Sequence, residues 1–99
     1  MLLPSKIAHM DEYKKTLNYL NNLDRQSRAK FLGYCGTTEG YVRKICSSRH
    51  DAQNRLFFGA VISRKMEEYT SGVISRKGLR PHDWADIWPE LSKQDSTAA

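Results

Sequence analysis

RAKFLGYCGTTEGYVRKICSS, Arg28 to Ser48, is the stretch on which the reading of this chain turns. Ala29, Leu32 and Cys35 recur at helical spacing and form an apolar stripe, with Arg25, Arg28 and Lys30 on the outward side. Gly36 then interrupts, a residue free to take the positive φ that other side chains resist. Thr37 or Thr38 offers a side-chain oxygen to cap a second helix. In that helix Val42 and Ile45 point inward, and Arg43 and Lys44 point outward. The connection is three to four residues long, as a helix-turn-helix requires. Motifs of this kind lay their second helix in the major groove of DNA.

With Gly36 at the turn, Thr38, Glu39, Gly40, Arg43, Lys44 and Ser47 fall on the face opposite Val42 and Ile45. Arg43 suits a base edge, because its fork bonds guanine O6 and N7 together, a contact worth roughly 1–3 kcal/mol of discrimination. Lys44, Arg49, Arg28 and Arg25 suit phosphates, which set register without reading sequence. Thr38, with Thr37 beside it, stands at a helix N-terminus that welcomes a phosphate oxygen. Gly40 lets a helix approach closely, at some cost in helix propensity. Glu39 can accept from cytosine N4, but capping or a local ion pair fits it better. Tyr41 suits either a phosphate contact or a wedge between helices, the wedge being favoured.

Working outward, helix one is expected from Asp11 to Leu23, where Tyr13, Leu17, Leu20 and Leu23 share a face and Asp11 and Glu12 suit the first turn. Asp24 is a good N-cap for helix two, Arg25 to Tyr34. Helix four is expected from Asn54 to Tyr69, with Phe58, Ile62, Met66 and Tyr69 as a stripe for core or dimer packing. Gly72 fits a left-handed C-cap, and Val73–Ser75 reads as a short strand. Pro81 opens a last short helix holding Trp84, Ile87 and Trp88, and Pro89 ends it. The two tryptophans either fold back on the domain, which is the expected outcome, or meet a second subunit. Residues 1–10 read as a flexible extension, 11–91 as one domain, and 92–99 as a disordered polar tail. The fold class is mainly α: a helix-turn-helix domain of four to five helices with a short strand near the C-terminus.

Composition agrees with one domain of 99 residues, 39% apolar, carrying a formal net charge of +5. Between Arg25 and Arg55 seven basic residues face two acids, so this segment alone holds the excess of the whole chain. From Pro81 onward the balance is acidic: Asp83, Asp86, Glu90 and Asp95 against Lys93. A basic half and an acidic end suit a polyanion-binding face. The mean hydropathy of -0.66, with no apolar run near eighteen residues, excludes a membrane span. The N-terminus is too short and broken for a signal peptide, so a cytoplasmic, nucleoid-associated protein is expected. Cys35 and Cys46 read as buried reduced thiols, and His9, His50 and His82 lack ligand spacing. No metal, cofactor or catalytic motif is indicated, so an enzyme is not expected.

Three strings carry a resemblance: CGTTEGYVRKICS (Cys35–Ser47), GVISR (Gly72–Arg76) and the unusual LRPHDWADIWPEL (Leu79–Leu91). On these the chain resembles, from Asp11 to Leu91, the YdaS-like family of small Cro-type regulators of phages and prophages, sometimes classed as antitoxins. The resemblance implies a lambda-repressor-like helical domain that binds a double-stranded DNA operator and represses transcription, often as a homodimer. Its groove face would be Thr38, Glu39, Arg43 and Lys44. The alternative is an antitoxin-like interaction module whose main task is to bind a toxin partner. RNA is a weaker third, since no aromatic platform is interleaved with the basic residues.

Overall fold

The structure is a computed structural model and describes residues 11–50 and 55–92. The expected extension at 1–10, and all but the first residue of the expected tail at 92–99, lie outside the described residues. Helix α1 spans Glu12–Asn21, α2 Arg25–Cys35, α3 Glu39–Ser47, α4 Ala60–Thr70, α5 Arg76–Leu79 and α6 Trp84–Ile87. A 3-10 turn, Ser48–His50, continues α3, and residues 89–92 form a further helical turn.

Local chemistry explains the first three helices. Asp11 caps α1 by accepting from the Tyr13 amide at 2.8 Å, and Asp24 caps α2 by accepting from Ser27 at 2.8 Å. At the end of α2, Gly36 takes φ 73° and ψ 39°, and the Thr37 amide reaches back to Leu32 O at 3.1 Å. Thr38 then caps α3 by accepting from the Tyr41 amide at 3.2 Å. Turn and cap together fix where one helix stops and the next starts.

Packing does the rest. α1 lies against α3, α2 against α4, and α5 touches both α4 and α1. Between them Tyr13, Leu20, Phe31, Cys35, Val42, Ile45, Phe58, Met66, Ile74 and Leu79 form one closed core. Phe31 is held edge-on by Tyr19 (5.1 Å) and Tyr69 (5.4 Å), tying α2 to α1 and α4. Tyr13 is the polar hub. Its ring stacks on Phe58 at 5.2 Å, and its hydroxyl donates to Leu79 O while accepting from the Phe58 amide at 3.0 Å. Burial pushes its phenol up to about 12.

Six α-helices form among the described residues where four to five were expected, and the last, expected to open at Pro81 and end at Pro89, is Trp84–Ile87 with Pro89 beginning a further turn. Two more elements differ. Helix four starts at Ala60, well after Asn54, which itself lies outside the described residues. The Leu56 amide is taken by Ser48 Oγ (2.8 Å) and the Phe58 amide by Tyr13, so these donors serve side chains outside the segment and 55–59 stays out of the helix. Phe58 is in the core but ahead of the helix, and Val61 is 59% exposed.

The strand at Val73–Ser75 does not form, and there is none among the described residues. Its amides are spent elsewhere: Val73 on Thr70 O (3.2 Å), Ile74 on Thr70 Oγ1 (3.0 Å) and Ser75 on the Glu12 carboxylate of α1. Ile74 drops fully into the core instead. Ser71, at φ 54°, takes the left-handed cap position ahead of Gly72.

At the C-terminal end the tryptophans fold back. Trp88 is buried with the Arg76 guanidinium 5.3 Å from its ring, and the Lys77 ammonium sits 4.4 Å from Trp84. Arg80 joins this end to the rest by donating to Phe58 O at 2.8 Å and pairing with Asp83.

Candidate nucleic-acid interface

α3 is pinned from behind and bare in front. Val42 and Ile45 are fully in the core, while Gly40, Tyr41, Lys44 and Ser47 are exposed and Arg43 keeps 41% of its side-chain surface. An α-helix packed on one side only presents a convex ridge, the shape that enters a major groove. Thr38, Glu39, Gly40, Tyr41, Arg43, Lys44 and Ser47 all belong to α3 or its cap, and Arg25 and Arg28 stand on the first turn of α2 beside it. Thr37 lies half-buried in the turn.

Gly40 is informative because nothing among the described residues requires it. A Cβ built there meets no atom within 4 Å, so the missing side chain faces open space. Tyr41 divides its surface: the ring is 41% exposed, yet it tilts against Phe58 at 6.3 Å.

Glu39 organises the positive charges. Its carboxylate accepts from Arg43 Nε at 2.9 Å and from Arg28 Nη1 at 3.3 and 3.4 Å. The Arg43 hydrogen bond, with the nearby Arg28 and Arg43 charges, holds its carboxyl below the usual range. Arg43 Nη2 donates in turn to Asn21 Oδ1 at 2.9 Å, at the end of α1. Arg28 also donates from Nη2 to Leu23 O at 3.2 Å, and its Nε is buried without a partner among the described residues. Arg28 therefore ties α2 to α3 and to the α1–α2 link, so its guanidinium is only partly open to an outside anion.

Arg49 stands apart from this group. Its guanidinium is wedged 4.0 Å from the Tyr13 ring and 4.6 Å from the Phe57 ring, with Nε and Nη2 buried. Nothing in the local sequence marks that arrangement, because both rings come from distant segments. The role of Asn21 has no sequence signal either.

Burial pushes the thiols of Cys35 and Cys46 up to about 11, so neither is a nucleophile at neutral pH. Among the described residues no cluster of His, Cys, Asp and Glu could hold a metal ion, and no helix is long and apolar enough to cross a membrane.

No family model matches the chain, and no solved structure matches it. A curated relative does: a prophage transcriptional regulatory protein of Escherichia coli (strain K12). It is 32% identical over 72 residues, which cover 73% of this chain and 94% of that protein. Near-complete coverage of a protein of this kind, by a helical chain with a bare cationic helix, places this one in its group. The chain belongs to the family of that prophage transcriptional regulatory protein.

Proposed function

We propose that this chain is a sequence-specific double-stranded DNA-binding repressor of Cro type, which reads the major groove with α3. The observation that carries the reading is the one-sided burial of α3: Val42 and Ile45 in the core, and Gly40, Arg43, Lys44 and Ser47 outside. Arg43 contacts a base edge, while Lys44, Arg25 and the Thr38 cap sit on phosphates. Arg28 and Arg49 contribute mainly through placement and charge, since their guanidinium groups are partly buried, Arg28 at Nε and Arg49 at Nε and Nη2. A homodimer is the working form, because one small domain makes few contacts and two-fold symmetry doubles them.

The test is titration of a labelled random-sequence 20-bp duplex pool at several salt concentrations, followed by selection of bound sequences. Lys44 and Arg25 on phosphates, with the charges of Arg28 and Arg49 nearby, predict a log–log salt slope of roughly −2 to −4 per subunit. Arg43→Ala flattens the selected sequence preference, whereas Lys44→Ala weakens all duplexes alike. Variants that both bind as the parent does would remove α3 from the interface.

A further inference from the structure

We infer that Glu39 and Asn21 are positioning residues that hold the Arg43 fork over the reading surface and keep it off phosphates, so that they set sequence specificity without touching a base. This rests on the reading above that α3 meets duplex DNA. Three observations lead to it. Arg43 is held on two sides, by Glu39 Oε2 and by Asn21 Oδ1, each at 2.9 Å and on different helices. Glu39 is also held, by Arg28 from α2, so the carboxylate is itself fixed from behind. Arg43 and Glu39 keep 41% and 39% of their side-chain surface on the helix whose Val42 and Ile45 are buried, so the network stands at the solvent side.

A free arginine on this surface would find a phosphate before a base, because phosphates are nearer the groove rim and attract at any sequence. Pinning the guanidinium removes that option. It also lowers the ordering cost when the correct base presents its acceptors. Glu39 thus answers two needs at once: its own negative charge repels generic DNA, and its hydrogen bond aims a positive one.

The two tethers can be cut separately. Glu39→Gln alters net charge by one and loosens both arginines. Asn21→Ala leaves net charge unchanged and releases only the outer tether of Arg43. Glu90→Gln, near the C-terminal end of the described chain, makes the same charge change outside the network. Each is titrated against two probes, a duplex selected by the parent from a random 20-bp pool and the unselected pool, with thermal melts to confirm folding.

One additional phosphate contact steepens the salt slope by about 0.9, which corresponds to roughly fivefold tighter binding at 0.15 M salt relative to 1 M. Glu39→Gln is therefore expected to bind the unselected pool about fivefold tighter, with the selected-to-unselected ratio falling by a similar factor. Asn21→Ala is expected to lower that ratio about two- to threefold, the weight of one exposed hydrogen bond. Glu90→Gln leaves the ratio as in the parent.

If the parent binds and the ratio holds in both Glu39→Gln and Asn21→Ala, the inference is overturned and the DNA reading stands. Equal ratio losses in Glu39→Gln and Glu90→Gln, with none in Asn21→Ala, also overturn it, since net charge alone would then account for the effect. A parent that binds neither probe overturns both readings. Should Glu39→Gln fail to fold, the Asn21→Ala arm decides.

Discussion

Gly40 offers a clean separation of folding from binding. It is the second residue of α3, and Gly33 lies inside α2; a Cβ at either meets nothing within 4 Å. Glycine in a helix costs about 0.5–1 kcal/mol relative to alanine, through backbone entropy and lost propensity. Gly33→Ala and Gly40→Ala are therefore both expected to stabilise the fold by about that amount. For a domain of this size 1 kcal/mol moves Tm by about 4–8 °C, so each variant melts roughly 2–8 °C higher. Binding divides them. If Gly40 is glycine so that the start of α3 can approach a DNA backbone, a methyl group there stands in the contact. Gly40→Ala then loses at least tenfold in affinity, about 1.4 kcal/mol, while Gly33→Ala binds as the parent does. Circular dichroism melts and anisotropy with a labelled duplex give both quantities on the same samples. A Gly40→Ala protein that is more stable and binds undiminished would refute the claim that this glycine serves an interface.

Tyr13→Phe removes a hydroxyl that satisfies both Leu79 O and the Phe58 amide deep in the core. Leaving both buried groups unpaired is expected to destabilise the fold by about 2–4 kcal/mol in urea unfolding, and a loss under 1 kcal/mol would contradict the hub role. Cys35 and Cys46, raised from 9.0 to about 11, are expected to react with a thiol reagent at pH 8 roughly 100-fold more slowly than unperturbed thiols, and fast in denaturant. The same two thiols and Tyr13 keep their protons in the fold after the unfolded chain has shed them. Above about pH 9 the unfolded state then binds fewer protons than the native one, and stability falls as pH rises toward 11. Urea melts at pH 8 and pH 10.5 check this, and an unchanged midpoint would count against the buried assignments.

The helix pair α2–α3 and the turn between them were legible in the sequence because their signals act at short range. Asp24, Gly36 and Thr38 each bond an amide or carbonyl within a few residues, so type and spacing were enough to place α2 and α3 almost to the residue. The start of α4 was not legible. Its would-be first turn gives its amides to hydroxyls of Ser48 and Tyr13, eight and 45 positions away. Val73–Ser75 had strand-like residues but no strand among the described residues to pair with, and Thr70 and Glu12 captured its amides.

The candidate site divides in the same way. The outward face of α3 follows from helical spacing, since Val42 and Ile45 must be inside and their opposites outside. What each arginine does with its fork does not follow from spacing. Arg28 and Arg43 converge on Glu39, and Arg49 slots between two rings, because tertiary packing brings α1, α2 and the 55–59 segment alongside.

The central claim, that the outer face of α3 meets duplex DNA, is tested most directly by amide chemical shifts of the labelled protein as a 20-bp duplex selected by it is added. The account predicts that the largest shifts fall on Thr38 through Ser47 and on the first turn of α2. Shifts gathered instead on Arg76 through Leu91, with α3 silent, would contradict it.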